Sequence, residues 1–335
     1  MKKFFFLFLL VGFFLVGCNS NVNTDAGDDQ SEGNGDSAST GDYPSQSIQT
    51  IVPYSAGGGT DTFARIAAKS MEDVLGQSFV IVNKPGASAE IGTTELASAK
   101  PDGYNLAFIS VLDYILLPNL KETTYSFDEI KYISSFTESG TVLVGGKDNK
   151  FASLDELVKY AKEHPGELSV SISGQGHTYV LMQLEKEAGI DLTPVMYSGG
   201  GESLNAVIGG HVDVAIISQS FVQQTEDQGL KTLAVTTAER VESLSHVPTF
   251  QEQGYNVESA DSRILIAPKD TPDEIVEKLV TELDTLKDNQ DLAEKVREAG
   301  FEFKYRSGDE LNQFVEKAIT KVAEVVEGNE EAFLE

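Results

Sequence analysis

Tryptophan is absent from this 335-residue chain, cysteine occurs once and histidine only four times. A lone Cys18 cannot form an internal disulfide, and no paired-cysteine metal or redox motif is possible. The histidines, His164, His177, His211 and His246, fit no metal-ligand spacing such as HExxH, so no metal and no cofactor are expected. Cations are also scarce: 25 Lys and Arg stand against 53 Asp and Glu, a formal net charge of −28. Without a basic cluster, a surface of that sign repels nucleic acid and anionic lipid, which excludes nucleic-acid binding. The apolar run Phe4 to Val16 falls short of the roughly 20 residues needed to span a bilayer.

What that run does have is the layout of a secretory signal: Lys2 and Lys3, the apolar stretch, then Leu15-Val16-Gly17-Cys18. Leu-Val-Gly-Cys resembles the lipobox of bacterial lipoproteins, in which the cysteine is acylated and becomes the new N-terminus. Residues 1–17 are therefore expected to be a removed signal peptide and Cys18 a palmitate-type lipidation site, with two acyl chains giving the stable anchorage that one does not. The alternative is an ordinary signal peptide with an incidental cysteine. From Asn19 to Ser47 the chain is almost devoid of apolar side chains, so it cannot bury enough surface to offset its ordering entropy. As a coil it would reach on the order of 30 Å. The expected location is extracytoplasmic, on the outer face of the bacterial membrane or facing the periplasm.

The remaining stretch of about 290 residues exceeds what one core usually holds, so two domains are expected. Apolar runs at 48–52, 79–82, 105–109, 132–136, 141–144, 168–172, 212–217, 233–236 and 264–267 read as strands, several of them apolar throughout as a buried parallel sheet requires. Amphipathic helices alternate with them. One is capped by Thr60 or Asp61, runs through Phe63, Ile66, Ala67, Met71 and Val74, and stops at Gly76. Ser153-Leu-Asp-Glu156 and Ser307-Gly-Asp-Glu310 have the pattern of capping boxes. The fold class is α/β.

Four strand-to-helix transitions are rich in glycine: Tyr54-Ser-Ala-Gly-Gly-Gly-Thr-Asp61, Pro85-Gly-Ala-Ser88, Ser173-Gly-Gln-Gly-His-Thr178 and Tyr197-Ser-Gly-Gly-Gly-Glu-Ser203. Glycine lets a ligand approach the backbone, and the unpaired N–H groups of a helix start attract anions. None of the four ends in the Gly-Lys-Ser/Thr of a phosphate-binding loop, and Thr62 stands where the dinucleotide fingerprint wants Gly or Ala.

Ile51-Val-Pro-Tyr-Ser-Ala-Gly-Gly-Gly-Thr-Asp-Thr-Phe-Ala-Arg65, Asn83-Lys-Pro-Gly86, Pro101-Asp-Gly-Tyr104, Ser173-Gly-Gln-Gly176, Tyr197-Ser-Gly-Gly200, Gly209-Gly-His-Val-Asp213 and Ala267-Pro-Lys-Asp-Thr-Pro272 follow one another in an order that resembles the substrate-binding proteins of tripartite tricarboxylate transporters, the Bug family. The resemblance covers essentially everything after the tether. It implies a two-lobed periplasmic-binding-protein-like fold of type II, each lobe a mixed, mostly parallel sheet flanked by helices, joined by two crossover strands. The lobes would be 48–143 with the returning 262–335, and 144–261. It implies a monomer that captures a small organic carboxylate, a di- or tricarboxylate or related acid, and delivers it to a two-component membrane permease.

Carried onto this chain, the first-lobe contacts are expected from Tyr54, Gly58, Gly59, Thr60 and Asp61, with Ser110 at a strand end. The second lobe would add Ser173, Gly174, Gly176 and Thr178, then Tyr197, Gly199 and Gly200, with Asp213 and Ser218 behind them; Asp213 is equally readable as structural. His177, Val180 and Glu90 depart from the family pattern, and a cleft-facing Glu90 would favour an amino group on the ligand. Valine at Gly59 or Gly176 is expected to abolish binding, and loss of Lys84 to matter far less. A sensor presenting its ligand to a membrane kinase would use the same chemistry. A serine hydrolase built on Ser173, His177 and Asp213 lacks the GxSxG elbow, and the chain reads as a binding protein rather than an enzyme.

Overall fold

The computed structural model describes residues 43–146, 151–197, 199–329 and 333. The expected signal peptide, Cys18 and the tether up to residue 42 lie outside them, as does Ser198. The packed chain begins slightly earlier than its composition suggests: Tyr43 is buried, donates from its hydroxyl to the Gly103 carbonyl at 2.7 Å, and packs edge-on against Tyr104.

Chain order begins with β1 (Ile48–Val52), α1 (Gly59–Leu75), β2 (Phe79–Asn83), α2 (Glu90–Ala97), β3 (Asn105–Ser110) and α3 (Val111–Leu120). It continues with β4 (Ile130–Gly145), α4 (Leu154–Glu163), β5 (Ser169–Ile172), α5 (Gln175–Ala188), β6 (Thr193–Met196), α6 (Gly200–Ile208), β7 (Val214–Ser218), α7 (Val222–Asp227) and β8 (Thr232–Val235). The return is β9 (Ala260–Asp261), β10 (Arg263–Pro268), α8 (Asp273–Leu283), α9 (Gln290–Glu298), β11 (Glu302–Ser307) and α10 (Gly308–Val326).

The strands lie in the order β2-β1-β3-β10-β4-β7-β5-β6, with β8, β9 and β11 also paired to β4. In the first half, β2, β1 and β3 are parallel, and β10 inserts antiparallel between β3 and β4. In the second half, β6, β5 and β7 are parallel, and β7 meets β4 antiparallel. The sheet halves share β4, a single 16-residue strand where the sequence reads as two short ones. Thr137 and Ser139, which stand between the two runs, are buried within it. Thr137 earns its place by accepting the Arg263 N–H on its hydroxyl and the Ser262 hydroxyl on its carbonyl.

Both faces of each half are covered, which explains the unbroken apolar runs. Successive strand residues point to opposite faces. Leu106, Phe108, Leu265 and Ala267 therefore pack with Phe63, Ala67 and Met71 of α1 and Leu279 of α8. Ala107, Ile109, Ile264 and Ile266 pack on the other side with Leu311 and Val315 of α10. In the second half Val214 and Ile216 face α4 and α5, while Ala215 and Ile217 face α6. Burying side chains of this size contributes roughly 1.5–3 kcal/mol each.

Local signals at helix ends are mixed. Gly76 takes φ 70°, the left-handed conformation that ends α1. The start of α1 is set by Gly58, not by Thr60 or Asp61. Ser153 accepts from the Glu156 N–H as a cap should, but the Ser307 hydroxyl donates to Asp284 and leaves α10 without a side-chain cap.

Candidate functional site

Ligands of parallel sheets lie beyond the carboxyl ends of the strands. Here the ends of β3, β5 and β7 and the middle of β4 open on one cleft of about 240 Å³. Of the residues predicted from sequence, Ser110, Ser173, Gly174, Gly176 and Ser218 line it.

The loop after β5 turns through Gly174, whose φ of 77° suits glycine, directly into α5. Gly174 offers no side chain to cap the helix. Among the described residues no acceptor meets the N–H groups of Gln175, Gly176 and His177, so the positive end of α5 is open toward the cleft. Ser173 is differently committed. Its N–H donates to His177 Nδ1 at 3.2 Å, and its hydroxyl lies at the same distance from that nitrogen. An Nδ1 that accepts an N–H carries no proton, and burial pushes the imidazole pKa down to about 4, so His177 is neutral. Opposite, Leu112 Cδ2 lies 3.0 Å from where a Cβ on Gly176 would sit, so any side chain there would push the leucine aside by a few tenths of an ångström.

The loop after β3 brings charge. Ser110 caps α3, accepting from the Asp113 N–H at 3.2 Å and donating to Asp261 Oδ1 at 2.8 Å. Its N–H donates to the Tyr54 hydroxyl at 3.1 Å, which places Tyr54 one step behind the cleft wall. Burial, and then the neighbouring Asp113, hold the Tyr54 hydroxyl protonated far above its usual range. Asp113 lines the cleft; burial first and Asp261 second push its carboxyl up to about 6, against hydrogen bonds from Tyr54 and Ser110. Asp261 pairs with Arg263 Nη1 at 2.8 Å, and the guanidinium rests 4.7 Å from the centroid of the Phe301 ring. Two polar atoms of the lining are buried without a partner: Arg263 Nε and Ser139 Oγ.

Sequence reasoning missed Asp113, Ser139, Asp261, Arg263 and Phe301. The available signal was an arginine heading the apolar run Arg263-Ile-Leu-Ile-Ala-Pro268 and an aspartate three residues after the capping Ser110.

The other predicted residues stand outside the lining. Asp61 is 2% exposed and receives the Gly57 N–H at 2.8 Å, the Asn83 amide at 2.9 Å and a two-pronged contact from Arg65. Burial raises its pKa, but these donors outweigh burial and leave it below the usual carboxylate range. Thr60 is buried beside it, and Gly58 and Gly59 open α1 behind the Phe301 ring, whose Cζ lies 3.3 Å from where a Gly59 Cβ would sit. Thr178 bonds back to the Gly174 carbonyl within α5. Tyr197 and Gly199 lead into α6, and Gly200 packs so closely on Phe221 that a Cβ would meet the ring at 2.8 Å. Asp213 precedes β7 and binds Ser169 N and Oγ at 3.0 and 2.8 Å. Those atoms lie at the opposite end of β5 from Ser173, roughly 13 Å along the strand. Ser173, His177 and Asp213 therefore form no hydrolytic triad.

Glu90 pairs with Lys121 at 2.7 Å and accepts from Thr124 N, away from the lining, and Val180 is buried in the second-half core. Lys84 pairs with Glu95. Among the described residues no group of three or more His, Cys, Asp or Glu is placed to hold a metal, and no helix is long and apolar enough to cross a membrane.

Residues 63–330 match the model of the tripartite tricarboxylate transporter family receptor, TctC. Protein BugT of Bordetella pertussis is 30% identical over 85% of this chain and 89% of its own. A TctC solute-binding protein from Polaromonas superposes with a TM-score of 0.78 at 26% identity, covering 85% of this chain and 99% of that one. R. palustris Rpa4515, solved with adipate, gives 0.70 at 28% identity over 85% and 98%. These receptors bind solutes and do not transform them, and this chain belongs to their family, the TctC or Bug receptors of tripartite tricarboxylate transporters.

Proposed function

We propose that this protein is an extracytoplasmic receptor, anchored through lipid on Cys18, that captures a small organic carboxylate in the cleft beyond β3, β5 and β7 and delivers it to a two-component permease. The observation that carries the reading is the uncapped first turn of α5, whose N–H groups meet no acceptor among the described residues and face a cleft that also holds Arg263 and the Ser139 hydroxyl, likewise without a partner among them. A ligand carboxylate would complete these donors, and hydrogen bonds to a charged group are worth about 1.5–3 kcal/mol each. The adipate bound by Rpa4515 supports the ligand class.

In this reading residues 48–143 with 262–335 form one lobe and 144–261 the other, with the ligand contacting both. Gly174, Gly176 and Ser218 would serve from the second lobe and Ser110 from the first. Tyr54, Gly58, Gly59, Thr60 and Asp61, and likewise Thr178, Tyr197, Gly199, Gly200 and Asp213, would shape the walls from behind.

A thermal-shift screen against a carboxylate panel tests it. A ligand present at 100 times its dissociation constant adds about 2.7 kcal/mol of stability. Stabilisation by at least one carboxylate, lost in Gly176→Val, is the expected result; no stabilisation by any would refute it. Anchorage is tested separately by fatty-acid labelling, which Cys18→Ala should abolish.

A further inference from the structure

The cleft does not present a purely positive face to an anion. Its charged lining residues are Asp113, Asp261 and Arg263, one cation between two carboxylates. Asp261 is fully occupied, accepting from Ser110 Oγ at 2.8 Å and Leu112 N at 3.3 Å and pairing with Arg263 at 2.8 Å. Among the described residues Asp113 makes no ion pair. It sits in the first turn of α3, where burial and then Asp261 outweigh the hydroxyls of Tyr54 and Ser110 and the more distant charge of Arg263, which favour its ionised form, and leave the carboxylate underpaired. Arg263, by contrast, pairs with Asp261 through Nη1, keeps Nε buried without an acceptor among the described residues, and rests its guanidinium over the Phe301 ring.

We propose that the cleft selects solutes carrying a protonated amino group as well as a carboxylate, with the amine against Asp113 and the carboxylate against Arg263 and the first turn of α5. The inference rests on the reading of this cleft as the solute site and narrows its ligand class. A simple dianion would place negative charge beside two carboxylates in a partly desolvated space, where like-charge repulsion is much stronger than in bulk water. An ammonium would supply the one counter-ion the lining lacks, and the ligand carboxylate would take donors the lining has in excess.

The charge state of Asp113 gives the proposal a sign. The groups facing it are Tyr54 from the loop after β1, Tyr125 beyond α3, Asp261 and Arg263 from β9 and β10, and His177 from α5. Both tyrosines stay protonated and His177 stays neutral down to about pH 4, whereas Asp113, with its pKa raised to about 6, changes charge between pH 5 and 7.5. An aminated ligand therefore binds more tightly as pH rises through about 6. A dianion held by a protonated Asp113 would bind more weakly over the same range.

Calorimetric titration of the full chain with succinate, glutarate and adipate, each beside its 2-amino derivative, decides the matter. We expect the aminated member of the tightest pair to win by about 10-fold, equivalent to about 1.4 kcal/mol. Asp113→Asn should shrink that ratio to within about 2-fold, and Arg263→Gln should weaken both members. If Asp113→Asn fails to fold, as judged by circular dichroism and its melting curve, the pH dependence of the unaltered protein decides instead. An unaminated member that binds as tightly as its partner, or an aminated one that weakens as pH rises through about 6, overturns the inference. If in that case dicarboxylates still bind and Gly176→Val abolishes it, the carboxylate-receptor reading stands. If no member of any pair binds, both readings fall.

Discussion

Two glycine-rich helix starts in this molecule look alike in sequence, both lack a side-chain cap, and they differ in the charge held beside them. Before α1, the loop supplies its own anion: Asp61, buried, takes the Gly57 N–H and is pinned by Arg65 and Asn83. Before α5, Gly174 leaves the first turn uncapped, and the side chain that could have served, Ser173, is engaged with His177. A glycine-rich start thus identifies a place where backbone donors are exposed to something. Before α1 a buried carboxylate of the chain, Asp61, already occupies the loop beside the helix start, and before α5 no carboxylate of the chain does.

The largest expected effect breaks the self-satisfied loop. Asp61→Ala removes a buried carboxylate that accepts from three donor groups, the Gly57 N–H, the Arg65 guanidinium and the Asn83 amide, so it should cost about 3 kcal/mol in chemical denaturation. A loss below about 1 kcal/mol would mean the loop does not depend on its internal anion. Next, Gly176→Val intrudes on Leu112 at the mouth of the open start and should weaken ligand binding about 100-fold with the fold retained. Calorimetry on a variant with an unaltered circular dichroism spectrum checks it; affinity within about 3-fold of the parent would place the ligand elsewhere.

A pH titration sharpens the contrast through stability. His177 has its folded pKa lowered to about 4, so its contribution is present above its unfolded value near 6.5 and is lost as pH falls toward 4. Asp113 is raised to about 6 and acts the other way, its contribution being present below about 4 and lost as pH rises through 6. The two oppose each other between pH 4 and 6. In Asp113→Asn, stability measured by urea denaturation should therefore rise with pH across that window more steeply than in the parent. An unchanged slope would show that Asp113 contributes nothing to the pH dependence of stability. The smallest effects concern residues near but not in the lining. Gly59→Ala, 3.3 Å from the Phe301 ring, should change affinity by less than about 5-fold, and Lys84→Ala by less than about 2-fold.

The strands of both cores were legible because two covered faces leave no room for polar alternation, as in Leu106 to Ile109 and Val214 to Ile217. β11 was not, because Glu302-Phe-Lys-Tyr-Arg-Ser307 is only half buried and its pairing with β4 comes from tertiary context. β4 was split in two because the polar stretch Thr137-Glu-Ser-Gly140 interrupts its apolar runs, and the returning Ser262 and Arg263 that bond to Thr137 are far away in sequence. The cleft was half legible for a related reason. Ser110, Ser173 and Gly176 carry local signatures, whereas Asp113, Arg263 and Phe301 meet only after the chain has crossed to the second half and come back. No spacing encodes that meeting.

The position of β10 also sets an order of events for a chain that emerges from one end. Arg263–Pro268 is an interior strand of the first half, pairing Ile264 with Ile109 on one side and Ser135 on the other. Until those late residues arrive, β3 and β4 have no strand between them, and the apolar faces of β3 and α1 lack the partners Leu265 and Ala267. The second half needs only a contiguous stretch of chain, so its loop-closure cost is paid locally and early. The half that carries the first strand is therefore the last to become complete, and until then its unfinished sheet edge is open to a chaperone or a protease.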